Sequence, residues 1–381
     1  MSYILRPLSE LCERSIVSTQ PSKAPDNEFW YIDISAVDNA IKQITRPQRT
    51  IGKVASVRAR QVVHHNDVIV STTRPNLNAV AIVPRELHGN ICSTGFCVLR
   101  CGAELEADYL FLYVQSGLFI NALTRLVQGA LYPAVTDKQV LSQAIPWLPL
   151  DQQRRVAFKL KTQFEEVETA RKALASQRQE IINLGYAYIR ASIEQSDTSE
   201  FRLGDVLDEV KKGIGENWAD YPVLGATRDG LAPAREPPGK QPQRYKPVFA
   251  GTVFYNPMRI LIGSIAYVDD NDQPGITSPD YVALQGKAGK VDSRWFYYWL
   301  RSPYGVQCIN SLARGAVRER MLFNRLAEGA IRLPPYREQL RVSKALAQLQ
   351  PLKAAVQRQL DDLNKIPERL LALAFNPGAK E

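Results

Sequence analysis

The 381-residue sequence has only three histidines and five cysteines, and no apolar run approaches the roughly 18 to 20 residues that a membrane-spanning helix needs. Its opening, Met1-Ser2-Tyr3-Ile4-Leu5-Arg6-Pro7, lacks the basic start and apolar core of a signal peptide. The expected compartment is the cytoplasm. Cys12, Cys92, Cys97 and Cys101 lie in the first half and Cys308 in the second. An odd count without an export signal argues against a disulfide framework. The spacing Cys97-x3-Cys101 has no second ligand pair after it, and His64, His65 and His88 are the only histidines, the first two adjacent in an apparent strand. Buried or incidental thiols explain these residues better than zinc does. No metal and no cofactor are expected.

Catalytic signatures are missing too. Asn256-Pro257-Met258 matches part of the Asn-Pro-Pro-aromatic tetrad of amino-methyltransferases. The second proline and following aromatic are absent, and no Gly-rich strand-to-helix turn for S-adenosylmethionine precedes it. Pro279-Asp280 followed by Gln285-Gly286-Lys287 has a Gln where a nuclease metal site needs a carboxylate. Asp269, Asp270 and Asp272 read as solvated residues of a turn, with a weak cation site as the alternative. No Walker loop, Ser-His-Asp order or paired-carboxylate arrangement stands out. No catalytic residue is assigned.

What the chain does contain is a copy of itself. His65–Ser71 lines up with Ala250–Asn256, Gly95–Leu99 with Asp280–Leu284, and Leu110–Val114 with Trp295–Trp299. Gln128-Gly129-Ala130 then meets Arg314-Gly315-Ala316, and Leu148-Pro149-Leu150 meets Leu333-Pro334-Pro335. Beyond these, Gln153, Val156 and Leu160 meet Gln339, Val342 and Leu346. The shift stays near 185 residues, far beyond any solenoid period. Ordered matches at a nearly constant shift mean two copies of one module, and the divergent side chains between them mean a shared fold with different ligands.

Each copy begins with a mixed region of short β-branched or aromatic runs, such as Asp67–Thr72, Ala79–Val83 and Val253–Tyr255. Turn residues punctuate it, as in Arg74-Pro75-Asn76 and Asp272-Gln273-Pro274-Gly275. In the first copy helices are expected over about Ala107–Leu126, opening on an Asp108 cap, and about Asp137–Gln143. The strand end Ile145–Pro149 closes the region. A long helix follows, with no proline from Asp151 to Ile193 and a seven-residue seam at Leu160, Val167, Leu174 and Ile181. The second copy repeats the seam at Val342, Leu349, Val356, Leu363 and Leu370. Narrow seams with charged flanks favour the two helices pairing with each other, the alternative being that each stripe packs on its own domain. Pro351 and Pro367 are expected to kink or break the second helix. Glu194–Ser199 reads as the linker between copies.

Lys plus Arg number 48 against 39 acidic residues, a formal charge of +9. That excess suits a polyanion without proving one. Its placement is more telling. Basic and amide side chains gather near loops: Arg46, Arg49, Lys53, Arg58, Arg60, Arg74, Asn76 and Asn78 in the first copy. In the second these are Arg228, Arg235, Lys240, Arg244, Lys246 and Arg259, then Arg314, Arg318 and Arg320. Arg holds guanine O6 and N7 together, Asn holds adenine N6 and N7, and both grip phosphates.

The ordered set of short motifs resembles the specificity subunits of type I restriction-modification systems along essentially the whole chain. The first copy carries it in Tyr31–Ser35, Ala59–Val63, Asp67–Val80, Ser93–Phe96 and Leu148–Val156. The second carries it in Gly251–Val253, Leu333–Gln339 and Lys365–Leu371. The resemblance implies an α+β chain of two tandem mixed α/β target-recognition domains. Each is followed by a long helix, and the helices pair as an antiparallel coiled-coil-like spacer about a pseudo-twofold. The expected boundaries are 1–147, first recognition domain; 148–194, first spacer helix; 195–332, second recognition domain; and 333–376, second spacer helix region. About 40 residues of helix span roughly 60 Å, one to two turns of duplex. The implied role is reading a bipartite, asymmetric site in double-stranded DNA while docking two methyltransferase subunits, with restriction subunits in the larger complex. Catalysis would belong to those other subunits. A helical interaction scaffold and a self-sufficient DNA methyltransferase or nuclease are the competing readings.

Overall fold

Short β-branched runs bounded by turn residues form the strands of both halves. The computed structural model describes residues 4–127, 133–313 and 320–375. These divide into two units. One holds the described residues up to Lys172 together with those from Leu360 onward, and the other is Ala173–Gln359.

The main strands of the first unit are β1 (Ile4–Pro7), β2 (Glu28–Ile32), β3 (Gln48–Ile51), β4 (Ala59–Val62), β5 (Val68–Ser71), β6 (Val80–Ile82), β7 (Ile91–Ser93), β8 (Phe96–Leu99) and β9 (Ala144–Trp147). Its main helices are α1 (Ala107–Val114), α2 (Gly117–Arg125), α3 (Asp137–Leu141) and α4 (Leu150–Glu194), which continues into the second unit. One sheet has the order β3-β2-β7-β4 and another β8-β5-β6, while β1 pairs antiparallel with β9. All four residues of β5 are buried because both its faces are covered. Val68 and Val70 join Tyr109, Leu110, Tyr113, Leu160, Leu371 and Phe375 in one core. Ile69, on the opposite face, packs with Ile32, Val63, Cys92 and Phe96. Phe375, from the far end of the sequence, sits with its ring 5.2 Å from Tyr109 and 5.4 Å from Tyr113.

The second unit adds β10 (Ser199–Arg202), β11 (Leu207–Glu209), β12 (Leu224–Thr227), β13 (Gly230–Pro233), β14 (Lys246–Val248), β15 (Val253–Tyr255), β16 (Ile265–Tyr267), β17 (Gly275–Thr277), β18 (Val282–Gly286) and β19 (Ala330–Leu333). Its main helices are α5 (Ser293–Arg301), α6 (Pro303–Leu312), α7 (Phe323–Leu326), α8 (Tyr336–Ala347) and α9 (Leu349–Phe375), whose last part belongs to the first unit. The sheet order β11-β18-β15-β16 contains the same three central strands as β8-β5-β6. Here β10 pairs with β19 just as β1 pairs with β9. Trp295 is fully buried and its indole N–H donates to Ser192 Oγ of α4 at 3.0 Å.

The duplication is repeated in the hydrogen bonds. Gln153 Nε2 donates to the Glu104 and Leu148 carbonyls, and its Oε1 accepts from Glu106 N–H. Gln339 Nε2 donates to the Lys290 and Pro334 carbonyls, and its Oε1 accepts from Asp292 N–H. Ser116 and Ser302 likewise donate to the Tyr113 and Trp299 carbonyls. Each buried Gln clasps the start of a long helix to the approach of the helix over the sheet.

Some sequence expectations change. The span Ala107–Leu126 is two helices, because Ser116 leaves helical geometry to cap α2 through Phe119 N–H. Asp108 is no cap; Glu106 holds that position and Asp108 pairs with Lys161. His64 and His65 lie in the turn after β4, where the His64 and His88 rings meet at 4.9 Å. The second helix breaks at Gln348, before Pro351, which occupies the first turn of α9, where no N–H is needed. It does not break at Pro367, since the lost bond affects only the Leu363 carbonyl, flanked by exposed Asp362 and Asn364. Leu160 packs with Leu371 of α9 in the first unit's core, and Ile181 of α4 packs with Leu349 of α9 in the second's, so the seam positions bring both long helices together within each core. Among the described residues no helix is long and apolar enough to cross a membrane.

Candidate nucleic-acid interface

In each unit the central strand runs into a tight turn that presents side chains to solvent. After β5, the turn Pro75–Leu77 is bracketed by Arg74 and Asn78, both left-handed with φ 49° and 48°. Such backbone is costly for residues with a Cβ and persists only where surroundings hold it. Arg74 N–H donates to the Pro133 carbonyl at 2.8 Å, and Asn78 Nδ2 to the Gln115 carbonyl at 3.4 Å. Lys42 Nζ reaches the Asn78 carbonyl at 2.6 Å, and burial pulls its pKa down to about 8. The side chains of Arg74, Asn76 and Leu77 are exposed. Arg60 lies on β4 of the other sheet, its Nε bound to the Val57 carbonyl, and Arg58 sits in the turn just before that strand.

After β15 the corresponding turn is Ile260–Ile262, ending on left-handed Gly263 (φ 84°). Asn256 Oδ1 accepts from Met258 N–H at 3.0 Å, and Met321 N–H donates to the Pro257 carbonyl at 3.1 Å. Arg301 from α5 donates to the Gly263, Ile265 and Arg228 carbonyls. The turn Arg228-Asp229 between β12 and β13 is thereby fixed beside Gly263, with Arg228 Cγ within 3.8 Å of where a Gly263 Cβ would stand. Arg228 and Arg259 are exposed, and Arg320, paired with Asp280 at 3.0 Å, lines a cleft with Met258 and Leu261. These arginines therefore converge on one turn. Arg244 binds Gln241 Oε1 instead, and Lys246 donates to the Tyr281 carbonyl, its pKa lowered chiefly by burial. Arg314 and Arg318 lie outside the described residues.

Asp269, expected to be solvated, is instead largely buried against Arg294, which also pairs with Asp270. The acidic turn is thus neutralised from α5, and the described residues contain no His, Cys, Asp and Glu group fit to hold a metal.

Sequence reading missed the fastening under Arg228. Arg178 of α4 pairs with the Asp229 carboxylate, while Lys353 of α9 donates to the Asp229 carbonyl at 2.6 Å. Gly185 of α4 lies against Leu349 of α9 while Arg178 and Lys353 meet at Asp229, so the two helices run in opposite directions in this unit. The cleft they form with Tyr297, Tyr298 and Arg301 lowers the Lys353 pKa to about 8, first through burial and then through Arg301 and Arg178. The sign follows from proton counting. Between pH 8 and the ordinary 10.5 the unfolded chain binds more protons at this residue than the folded one. Lys353 therefore weakens folding at low pH, and the deficit is relieved as pH rises through that window. We predict that any stability advantage of Lys353→Met over the parent in urea titrations shrinks from pH 8 to pH 10. A difference independent of pH would contradict this.

The chain is similar to two solved structures over nearly its whole length. One is a chain from a structural study of complex assembly and conformational transition of the type I R-M system, with 27% identity, a TM-score of 0.75 and 98% of each chain covered. The other is the HsdS subunit from Thermoanaerobacter tengcongensis, with 28% identity, a TM-score of 0.57, and 98% of this chain and 97% of that one covered. No protein-family model and no curated protein matches the sequence.

Proposed function

We infer that this chain belongs to the specificity subunits of type I restriction-modification systems and reads a bipartite DNA site on behalf of separate catalytic subunits. The carrying observation is the doubled unit, with the same three-strand core, the same closing strand pair and the same glutamine clasp in each copy, within a chain similar to an HsdS subunit over 98% of its length. One copy presents Arg74 and Asn76 to solvent, the other Arg228 and Arg259. Two related readers with different loops suit an asymmetric site, each half recognised by one unit. The partners are double-stranded DNA and methyltransferase subunits, joined by restriction subunits in the full assembly. The chain itself is the non-catalytic member.

The test is to sequence methylated adenines in cells carrying the methyltransferase subunits, with and without this chain. The expected result is a bipartite motif that appears only when the chain is present. Methylation that is unchanged by its removal would overturn the assignment. Binding of the assembled complex should also weaken with salt, with a log–log slope of roughly −0.9 for each phosphate neutralised. Arg259→Ala should bring that slope closer to zero if the side chain contacts phosphate.

A further inference from the structure

We propose that the second unit discriminates its half-site through thymine C5-methyl groups, touched by the apolar tip Met258, Leu261 and Ile262. The proposal rests on the reading of the chain as a DNA specificity subunit and concerns how one half of the site is read. Met258 is 66% exposed, Leu261 55% and Ile262 65%. Three large apolar side chains on one short turn are an uneven use of surface in a soluble protein and mark a contact site.

The turn is built to hold them still. Asn256 braces its start, left-handed Gly263 closes it, and Arg301 anchors its end through two carbonyls. Ser264 Oγ adds a bond to the Ala226 carbonyl at 2.6 Å. A rigid tip loses little freedom on binding, so its apolar contacts go into recognition.

The surroundings identify the occupant. Arg228 stands beside Gly263, Arg259 lies within the turn, and Arg320 borders Met258 and Leu261. An apolar tip ringed by guanidinium groups fits a surface that combines anionic ridges with small apolar spots. The major groove of DNA is such a surface: phosphates border it, and the thymine methyl is the apolar group among the base edges it displays.

The first unit supplies the contrast. Its turn at the same place in the fold exposes Arg74 and Asn76, hydrogen-bonding side chains, with Leu77 as its exposed apolar residue. One fold thus carries a polar reader and an apolar one.

The experiment uses the whole complex of this chain with its methyltransferase subunits, on duplexes bearing the motif found by sequencing methylated adenines. Exchange of residues 1–147 assigns each half-site to its unit. Deoxyuridine then replaces thymidine in one half-site at a time, which removes the methyl and keeps base pairing. The expected result is about fourfold weaker binding for each thymine contacted in the second half-site, with no comparable loss in the first. A combined Met258→Ser, Leu261→Ser and Ile262→Ser variant should bind thymidine and deoxyuridine duplexes alike. These side chains are exposed, and an unchanged thermal melt checks the fold.

Equal binding of both duplexes by the parent would overturn the proposal. So would a loss confined to the first half-site, a second half-site without thymine on either strand, or a variant still sensitive to deoxyuridine. A variant that loses its methyltransferase subunits yet keeps that sensitivity would assign the tip to a protein interface instead. The function reading fails separately, by the absence of sequence-dependent binding to the unmodified duplex.

Discussion

On the proposed reading, exchanging residues 1–147 for the matching segment of a type I specificity subunit will rewrite one half of the methylated motif and leave the other half intact. The expectation follows from where the buried side chains lie. The first unit's cores are built on Val68, Ile69, Phe96 and Tyr109, while the second's are built on Tyr255, Phe254, Trp295 and Leu346. Each presenting turn is also fastened inside its own unit, Arg74 through Pro133 and the Met258 turn through Arg301 and Met321. A graft must respect the contacts that reach beyond residue 147, among them the Gln153 clasp on Glu104 and Glu106 and the Asp108–Lys161 pair. Phe375 packs on Tyr109 and Tyr113, so the incoming segment has to keep an aromatic surface there. With that kept, sequencing of methylated adenines should show a complete change in one half-site, since each wrong base pair costs about 1–3 kcal/mol. Simultaneous changes in both halves would refute the modular account.

The second large effect concerns stability. Gln153→Leu removes a side chain that satisfies Glu106 N–H and the Glu104 and Leu148 carbonyls. Leucine fills similar space but offers no hydrogen bond, and each buried group left without a partner costs about 1–3 kcal/mol. A loss of about 3 kcal/mol in the first unit is expected for Gln153→Leu, and the same in the second unit for Gln339→Leu. Hydrogen exchange read by mass spectrometry separates the two, because each variant should speed exchange at the base of its own long helix. Gln153→Glu should recover little, since a carboxylate accepts from Glu106 N–H but cannot donate to the two carbonyls. A change under about 0.5 kcal/mol in both leucine variants would mean that water replaces the clasp.

The proline positions show how far local rules reach. Pro351 marks a helix start because a proline in the first turn loses nothing, whereas Pro367 sits in mid-helix and is tolerated. The local pattern identifies the residue type that ends helices, but whether a helix ends depends on what packs around it. The clasp illustrates the opposite case. Gln153 and Gln339 fall at matching places in the repeat and are legible as a pair, though nothing local says what they bind.

The sequence by itself determined the duplication, the strand runs at Val68–Ser71 and Val253–Tyr255, and the long helix from Leu150 to Glu194. These depend on periodicity, turn chemistry and residue type, which act over a few neighbours. Only the tertiary structure decided that Arg301 grips the Arg228 turn, that Lys353 and Arg178 meet at Asp229, and that Phe375 completes the first core. Those contacts join residues far apart in the chain, and their partners are chosen by the packing of helices on sheets, a geometry that no local pattern encodes.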